Sequence, residues 1–344
     1  MPSQFNIAVI GAGMWGQTHI SMFQKEKRAA VTWIYDLNPA IAKAAQEKFG
    51  VKRVAKDVRE MLDDPALDAV VIASPPSSHV AIALDVLRAG KHLLIEKPMA
   101  VNREEVAAIV AEVAAHPELV SLEGSCRHSR LNPKYTFIKA LIESGKLGRI
   151  YHIHHNHLGQ ETFVEYNPNG AWAMDKRYAG GGPFIDWGEY DLSFHLGILG
   201  DQPQIKAVHA FTITGLRDLS KLAPVVDVEL HGAAYMEFDG DLTYYYERGA
   251  GVHGEVKNET RLYGTKGGLH FSYTTWDPNI ITYFHATDKP EKETLTVDMS
   301  RHPAHDNMAF VAHFLDCLEG KAQPMMPVSL AAKHLNIVFD LLKS

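Results

Sequence analysis

Cysteine is scarce in this chain: there are two in 344 residues, Cys126 and Cys317. Two thiols exclude a disulfide framework and fit a reducing compartment. With no C-x-x-C pair, a thiolate zinc site of that kind is also excluded. No apolar run approaches the ~18 residues of a membrane span. The first residues lack a charged segment followed by an apolar one, so no signal peptide is expected. Basic charge is not in excess: 34 Lys and Arg stand against 41 Asp and Glu, a net charge of −7. With no long basic run, nucleic acid is not the expected partner. No internal repeat or low-complexity tract is present. The expectation is a soluble cytoplasmic protein with neither a nucleic-acid nor a membrane partner. At 46% hydrophobic and 22% charged residues it can build ordinary cores. Its length suggests two domains.

What is present begins at once. Phe5–Ile10 is a short apolar run, and Gly11-Ala12-Gly13-Met14-Trp15-Gly16 follows it directly. A second apolar run, Ala30–Tyr35, ends at Asp36. A G-x-G-x-x-G after a strand, opening a helix and followed at this spacing by an acid, is the pattern of a nicotinamide dinucleotide site. Gly11 permits the tight turn, Gly13 lets backbone approach the pyrophosphate, and Gly16 lets the helix pack on the strand. Met14 and Trp15 sit in the helix N-terminus, whose free N–H groups and dipole favour phosphate. Asp36 can accept from both ribose hydroxyls and repels a 2′-phosphate. NAD is therefore expected, with NADP not excluded.

From residue 5 to about 124, strands alternate with helices. Asp68–Ala73 is a buried strand ending at Ser74-Pro75-Pro76, and His79–Ala89 is a helix stopped by Gly90. Lys91–Ile95 is a strand ending at Glu96-Lys97-Pro98, and Leu119–Glu123 is another. Such alternation means a parallel sheet with helices on both faces and ligands beyond the carboxyl ends of the strands. The three strand-end loops should converge on one crevice. After a helix over 133–144, strands are expected at 149–158, 204–214, 224–238, 241–249, 256–264, 267–273 and 280–285, a largely antiparallel sheet. A helix over 183–199 interrupts them. Two helices, near 305–319 and 328–342, close the chain. The expected domains are 1–124, which binds the dinucleotide, and 125–344, which binds substrate and oligomerises.

Lys97 follows a strand and is pinned by Pro98. It is either a group placed beside the nicotinamide or a plain lysine at a strand end. Gly180-Gly181-Gly182-Pro183 opens a helix that carries Asp186 and Tyr190 on one face, four residues apart. The glycines give a loop able to approach a ligand closely. The carboxylate and phenol either bind a sugar diol and handle its proton, or serve as a dipole-favoured acid and a packed tyrosine. His152, His154, His155 and His157 lie on one strand, so the first two face one way and the last two the other. No acid or cysteine cluster completes a metal site, and no metal is expected. His157, at the strand end, is a substrate-site candidate. Trp172, Arg177 and Tyr178 form either a sugar-binding wall or plain loop packing.

These motifs together resemble the glucose–fructose oxidoreductase / inositol dehydrogenase / rhizopine catabolism family. The resemblance rests on Gly11-x-Gly13-x-x-Gly16, Ser74-Pro75-Pro76-Ser77-Ser78-His79, Glu96-Lys97-Pro98 and Gly180-Gly181-Gly182…Asp186-x-Gly188…Leu199-Gly200, and it spans the chain. It implies an N-terminal Rossmann fold, a doubly wound parallel sheet, followed by an α/β domain on a large, open, mostly antiparallel sheet. It also implies a C-terminal helix that returns to the first domain, and homodimers or homotetramers packed through the second sheet. It makes Lys97 catalytic and Asp186 a substrate-site residue. Many members carry a histidine as general acid/base where this chain has Tyr190. A tyrosine has an ordinary pKa near ~10 and needs a cation close by to work at neutral pH.

The expected function is hydride transfer between NAD(P) and a hydroxyl or ketone of a sugar, polyol or related carbohydrate. Lys97, Asp186 and Tyr190 would act on the substrate hydroxyl. Two rivals share the cofactor site. One is redox-neutral cleavage of a glycoside through a transient keto-sugar; the other is a non-catalytic dinucleotide sensor.

Overall fold

The computed structural model describes residues 4–167 and 169–343. The chain divides into two compact units, residues 1–127 with 303–333 and residues 128–302 with 334–344. The helix Asp306–Leu318 thus belongs to the first unit. There Arg28 donates from Nη1 to Asp316 at 2.6 Å and to Glu319 at 3.0 Å.

The first unit holds six strands: β1 (Phe5–Ile10), β2 (Ala29–Tyr35), β3 (Arg53–Val54), β4 (Ala69–Ile72), β5 (His92–Ile95) and β6 (Ser121–Glu123). Their order is β3-β2-β1-β4-β5-β6 and every pairing is parallel. Ile7 to Val9, Ala69 to Ile72 and Leu93 to Ile95 are wholly buried. Helices on both faces bury such runs, which is why they read as continuous rather than alternating. Asn38 caps the helix Pro39–Phe49 by accepting from the Ala40 N–H, and Asn102 caps Arg103–Ala115 by accepting from the Glu105 N–H. β3 has two residues, too few for any periodic signal.

The second unit holds β7 (Ile150–Leu158), β8 (Ile205–Ile213), β9 (His231–Phe238), β10 (Thr243–Gly249), β11 (Lys257–Gly264), β12 (Gly267–Phe271), β13 (Ile280–Ala286) and β14 (Pro290–Thr296). The order is β14-β13-β12-β11-β7-β10-β9-β8. All pairs are antiparallel except β10 with β7. The strand expected from 224 begins only at His231, because residues 224–230 leave the sheet. β14 escaped the sequence reading: PEKETLT is charged and almost wholly exposed, so it shows no apolar alternation. The helix Pro183–Gly197 packs on one face of the sheet, with the Phe184 ring 5.3 Å from Tyr246 and the Tyr244 hydroxyl 2.7 Å from His195 Nδ1. The histidines of β7 alternate as expected. His152 and His154 lie against Tyr263 and Tyr245, and His155 and His157 against Tyr246 and Trp187.

Candidate active-site residues of the two units

In the first unit the expected cofactor residues gather at the carboxyl edge of the sheet. Gly11 has φ of +87°, and a Cβ there would lie 2.5 Å from the Ser74 N. A Cβ on Gly16 would lie 1.7 Å from the Gly11 carbonyl oxygen. Gly13 differs: no atom lies within 4 Å of where its Cβ would be. The helix Met14–Phe23 starts there without a side-chain cap. The three glycines therefore divide into a turn, an open stretch of backbone and a packing contact. Open backbone at a helix N-terminus suits a pyrophosphate. Asp36 accepts from the N–H groups of Ala12 and Asn38, each at 2.8 Å. That anchors the carboxylate beside the loop and leaves lone pairs for ribose hydroxyls. These residues fit a dinucleotide.

β4 and β5 bring up the other two loops. The buried His79 bridges them, with Nε2 2.7 Å from the Ser74 carbonyl and Nδ1 2.8 Å from the Pro98 carbonyl. Burial pushes its pKa down, against those two carbonyls. His79 thus braces Ser74-Pro75-Pro76 against Lys97-Pro98. Ser74 and Ser78 bond through their hydroxyls at 2.7 Å. Glu96 Oε1 reaches His19 at 2.7 Å and Arg127, and its Oε2 accepts from the Lys97 N–H at 3.3 Å. Burial opposes its charge, but Arg127 and then His19 hold the carboxyl well below the usual carboxylate range. The Arg127 guanidinium lies 4.3 Å over the Trp15 ring, so Trp15 is tied into the same buried stack. Met14 is half exposed at the helix start.

In the second unit the glycine run meets protein. A Cβ on Gly182 would lie 1.9 Å from the Glu229 carbonyl oxygen, and one on Gly181 would lie 2.8 Å from the Ile185 side chain. The close approach the glycines permit is thus to the 224–230 segment. The Glu229 carboxylate accepts from Gly182 N–H at 2.8 Å and Phe184 N–H at 2.9 Å, capping the helix Pro183–Gly197 from outside. Burial pushes this carboxyl up, against those two bonds. Asp186 lies in the first turn of that helix, partly exposed, and Tyr190 one turn on is buried. Beneath them Asp191 accepts from Arg248, from the Tyr246 hydroxyl at 2.9 Å and from the Tyr273 hydroxyl at 2.6 Å.

An aromatic cluster surrounds Tyr190. Its ring centroid lies 5.2 Å from Trp187 and 5.0 Å from His128, and Trp276 lies 5.8 Å from Trp187. His157 lies 5.9 Å from Trp187, and burial followed by the Arg248 charge pushes its pKa down to about 2. It is a neutral ring at physiological pH. Arg177 is bonded to Asp175 and its guanidinium sits 5.7 Å from the Tyr178 ring, while Trp172 stands edge-on to Phe163 at 6.0 Å. Sequence reasoning missed Trp187, Trp276, His128 and Glu229. Trp276, 55% exposed in the polar stretch Thr274-Thr275-Trp276-Asp277-Pro278, carried the one usable signal: a large aromatic where a loop needs none.

A doubly wound parallel sheet with a glycine loop and an acid at the next strand end defines a dinucleotide-binding protein, here joined to a unit built on a large open sheet. The chain belongs to the glucose–fructose oxidoreductase / inositol dehydrogenase / rhizopine catabolism family, an NAD-binding oxidoreductase family. Residues 5–123 match its model described as "Oxidoreductase family, NAD-binding Rossmann fold", and 135–270 match "GFO/IDH/MocA C-terminal domain". The chain is 26% identical to levoglucosan dehydrogenase of Pseudarthrobacter phenanthrenivorans over 309 residues, covering 83% of this chain and 78% of that one. It is 36% identical to inositol 2-dehydrogenase 2 of Saccharopolyspora erythraea over 154 residues, 44% of each. Its fold is similar to a levoglucosan dehydrogenase solved with NADH, at a TM-score of 0.84 and 22% identity, covering 99% of this chain and 96% of that one.

Proposed function

We propose that the protein is a dehydrogenase that oxidises a hydroxyl of a sugar, polyol or related carbohydrate, with NAD preferred over NADP. One observation carries this reading: the open Gly13 backbone, the anchored Asp36 and Lys97 all stand at the carboxyl edge of one parallel sheet. The levoglucosan and inositol dehydrogenases among its relatives support the carbohydrate class. The bound nicotinamide supplies the acceptor for the hydride leaving the carbinol carbon. Tyr190 takes the hydroxyl proton, Asp186 accepts a hydrogen bond from a neighbouring hydroxyl, and Lys97 supplies positive charge that favours the phenolate and the developing alkoxide. The neutral His157 binds substrate, and Trp172, Arg177 and Tyr178 line its approach. No helix is long and apolar enough to cross a membrane among the described residues. A cytoplasmic homodimer or homotetramer fits the open face of the eight-stranded sheet, where Phe211, Tyr235, Tyr263 and Phe284 are exposed.

The test is reduced-nicotinamide absorbance across a panel containing myo-inositol, levoglucosan, free sugars and glycosides. NADH production on one class, lost in Lys97→Ala and Tyr190→Phe, supports the reading. Near wild-type turnover in both variants overturns the residue assignment. Aglycone release without absorbance change replaces it with redox-neutral cleavage.

A further inference from the structure

Glu123 has no part in the function proposed above, yet its environment is unusual for a carboxyl. It ends β6 and is wholly buried. Its Oε2 accepts from the Ser125 N–H at 2.8 Å and from the Ser125 hydroxyl at 2.5 Å. Its Oε1 finds no hydrogen-bond partner among the described residues. A buried polar atom without a partner calls for an explanation.

The strand register supplies one. β6 runs parallel to β5 with Glu123 opposite Ile95. β5 ends at Ile95, and Lys97 lies two residues beyond it, at the start of the loop that leaves the strand beside Glu123. Between Ile95 and Lys97 in sequence, Glu96 reaches His19 and Arg127 through Oε1, while its Oε2 accepts from the Lys97 N–H at 3.3 Å. The Gly124 backbone sits against the start of that loop: a Cβ there would lie 3.1 Å from Glu96 Oε2 and 3.2 Å from the Lys97 N.

We propose that Glu123 is a positioning residue for Lys97, holding the ammonium charged and oriented when ionised and releasing it when protonated. This rests on Lys97 acting in catalysis. Burial pushes the Glu123 carboxyl up to about 7, against the two Ser125 bonds; Glu96 pushes the same way as burial, and Lys97 the opposite way. Glu96 is itself paired with Arg127 and hydrogen-bonded to the His19 ring. The segment that pairs with β6 from its other side, through the Met326 carbonyl and Pro327, brings no charged side chain. The proton lost from Glu123 passes to solvent, so turnover acquires an acid limb near pH 7.

Two readouts test this on the NAD-loaded enzyme. First, infrared spectra of the wild type should show a carboxylic-acid carbonyl band that fades as pH rises through about 7 and is missing from Glu123→Gln. Second, with NAD and whichever of myo-inositol or levoglucosan is turned over, Glu123→Gln should lower kcat about tenfold and lose the acid limb. NADH affinity should stay within about twofold, and Glu123→Asp should restore the limb. An unchanged pH profile in Glu123→Gln, together with an inactive Lys97→Ala, overturns the role of Glu123 and leaves that of Lys97 standing. An active Lys97→Ala overturns the reading of Lys97 instead. Where Glu123→Gln fails to fold, the wild-type spectrum decides: no carboxyl titrating near neutrality overturns the proposal.

Discussion

Arg248 grips Asp191 through two parallel bonds, Nε to Oδ2 at 2.8 Å and Nη2 to Oδ1 at 2.9 Å, with both side chains buried. Two tyrosine hydroxyls and His155 complete the carboxylate's surroundings. The pair fastens the helix Pro183–Gly197 to β10 one residue past Tyr190. Removing one charge strands the other in a dry site, which costs roughly 3–5 kcal/mol. Asp191→Asn should therefore lower the urea midpoint strongly. Asp191→Leu with Arg248→Met should lose less than the two single changes added together. A double-mutant cycle in urea checks both expectations.

Cofactor choice should hinge on Asp36. Its carboxylate is fixed by two backbone N–H groups, so it is already in place before ligand arrives. Replacing it with serine removes the charge that repels a 2′-phosphate. Asp36→Ser should weaken NADH binding and shift the NADH-to-NADPH affinity ratio by about tenfold or more, on the order of 1.4 kcal/mol. Tryptophan quenching by each reduced nucleotide measures it. An unchanged ratio would remove Asp36 from the specificity site.

Acid should unfold the protein through a few buried carboxylates. Asp201 bonds Arg130 and lies 3.5 Å from His334; burial opposes its charge, but those partners hold it well below the usual range. Glu96 and Asp191 are depressed in the same way, each against its burial. A carboxyl held low in the folded state contributes stability that is fully present above the ordinary carboxylate pKa. That contribution is lost as pH falls through the folded value. Melting temperature should fall steeply below about pH 4. Asp201→Asn should blunt the fall and lower the neutral-pH plateau. A Tm series by circular dichroism reads both.

The parts of the fold legible in the sequence were those with local signals. β1 and the glycine loop announce themselves because one backbone turn demands glycine at Gly11 and close packing demands it at Gly16. The alternation of His152 and His154 against His155 and His157 follows from strand geometry alone. Partners distant in sequence gave no such signal. Glu229 caps a helix 45 residues earlier, at Phe184, and nothing near either residue advertises the contact. The glycine run at 180–182 was legible as a close approach, but not what approached it. Glu123 read only as the last residue of an apolar strand. Its character comes from burial beside Ser125 and from β5, which the chain visits 28 residues earlier.

The glycines of the first loop offer a separation of folding from binding. A Cβ on Gly16 would collide with the Gly11 carbonyl oxygen, and backbone cannot yield as a flexible side chain can. Gly16→Ala should lower Tm and reduce soluble yield. Gly13 has φ of −71°, which alanine adopts without strain, and open space where its Cβ would be. Gly13→Ala should therefore keep the wild-type Tm. If a pyrophosphate lies against that backbone, the added methyl occupies its place, and NADH affinity should fall about tenfold or more. Thermal melts paired with fluorescence titration of NADH separate the two effects. A Gly13→Ala variant that binds NADH as tightly as wild type would place the pyrophosphate elsewhere.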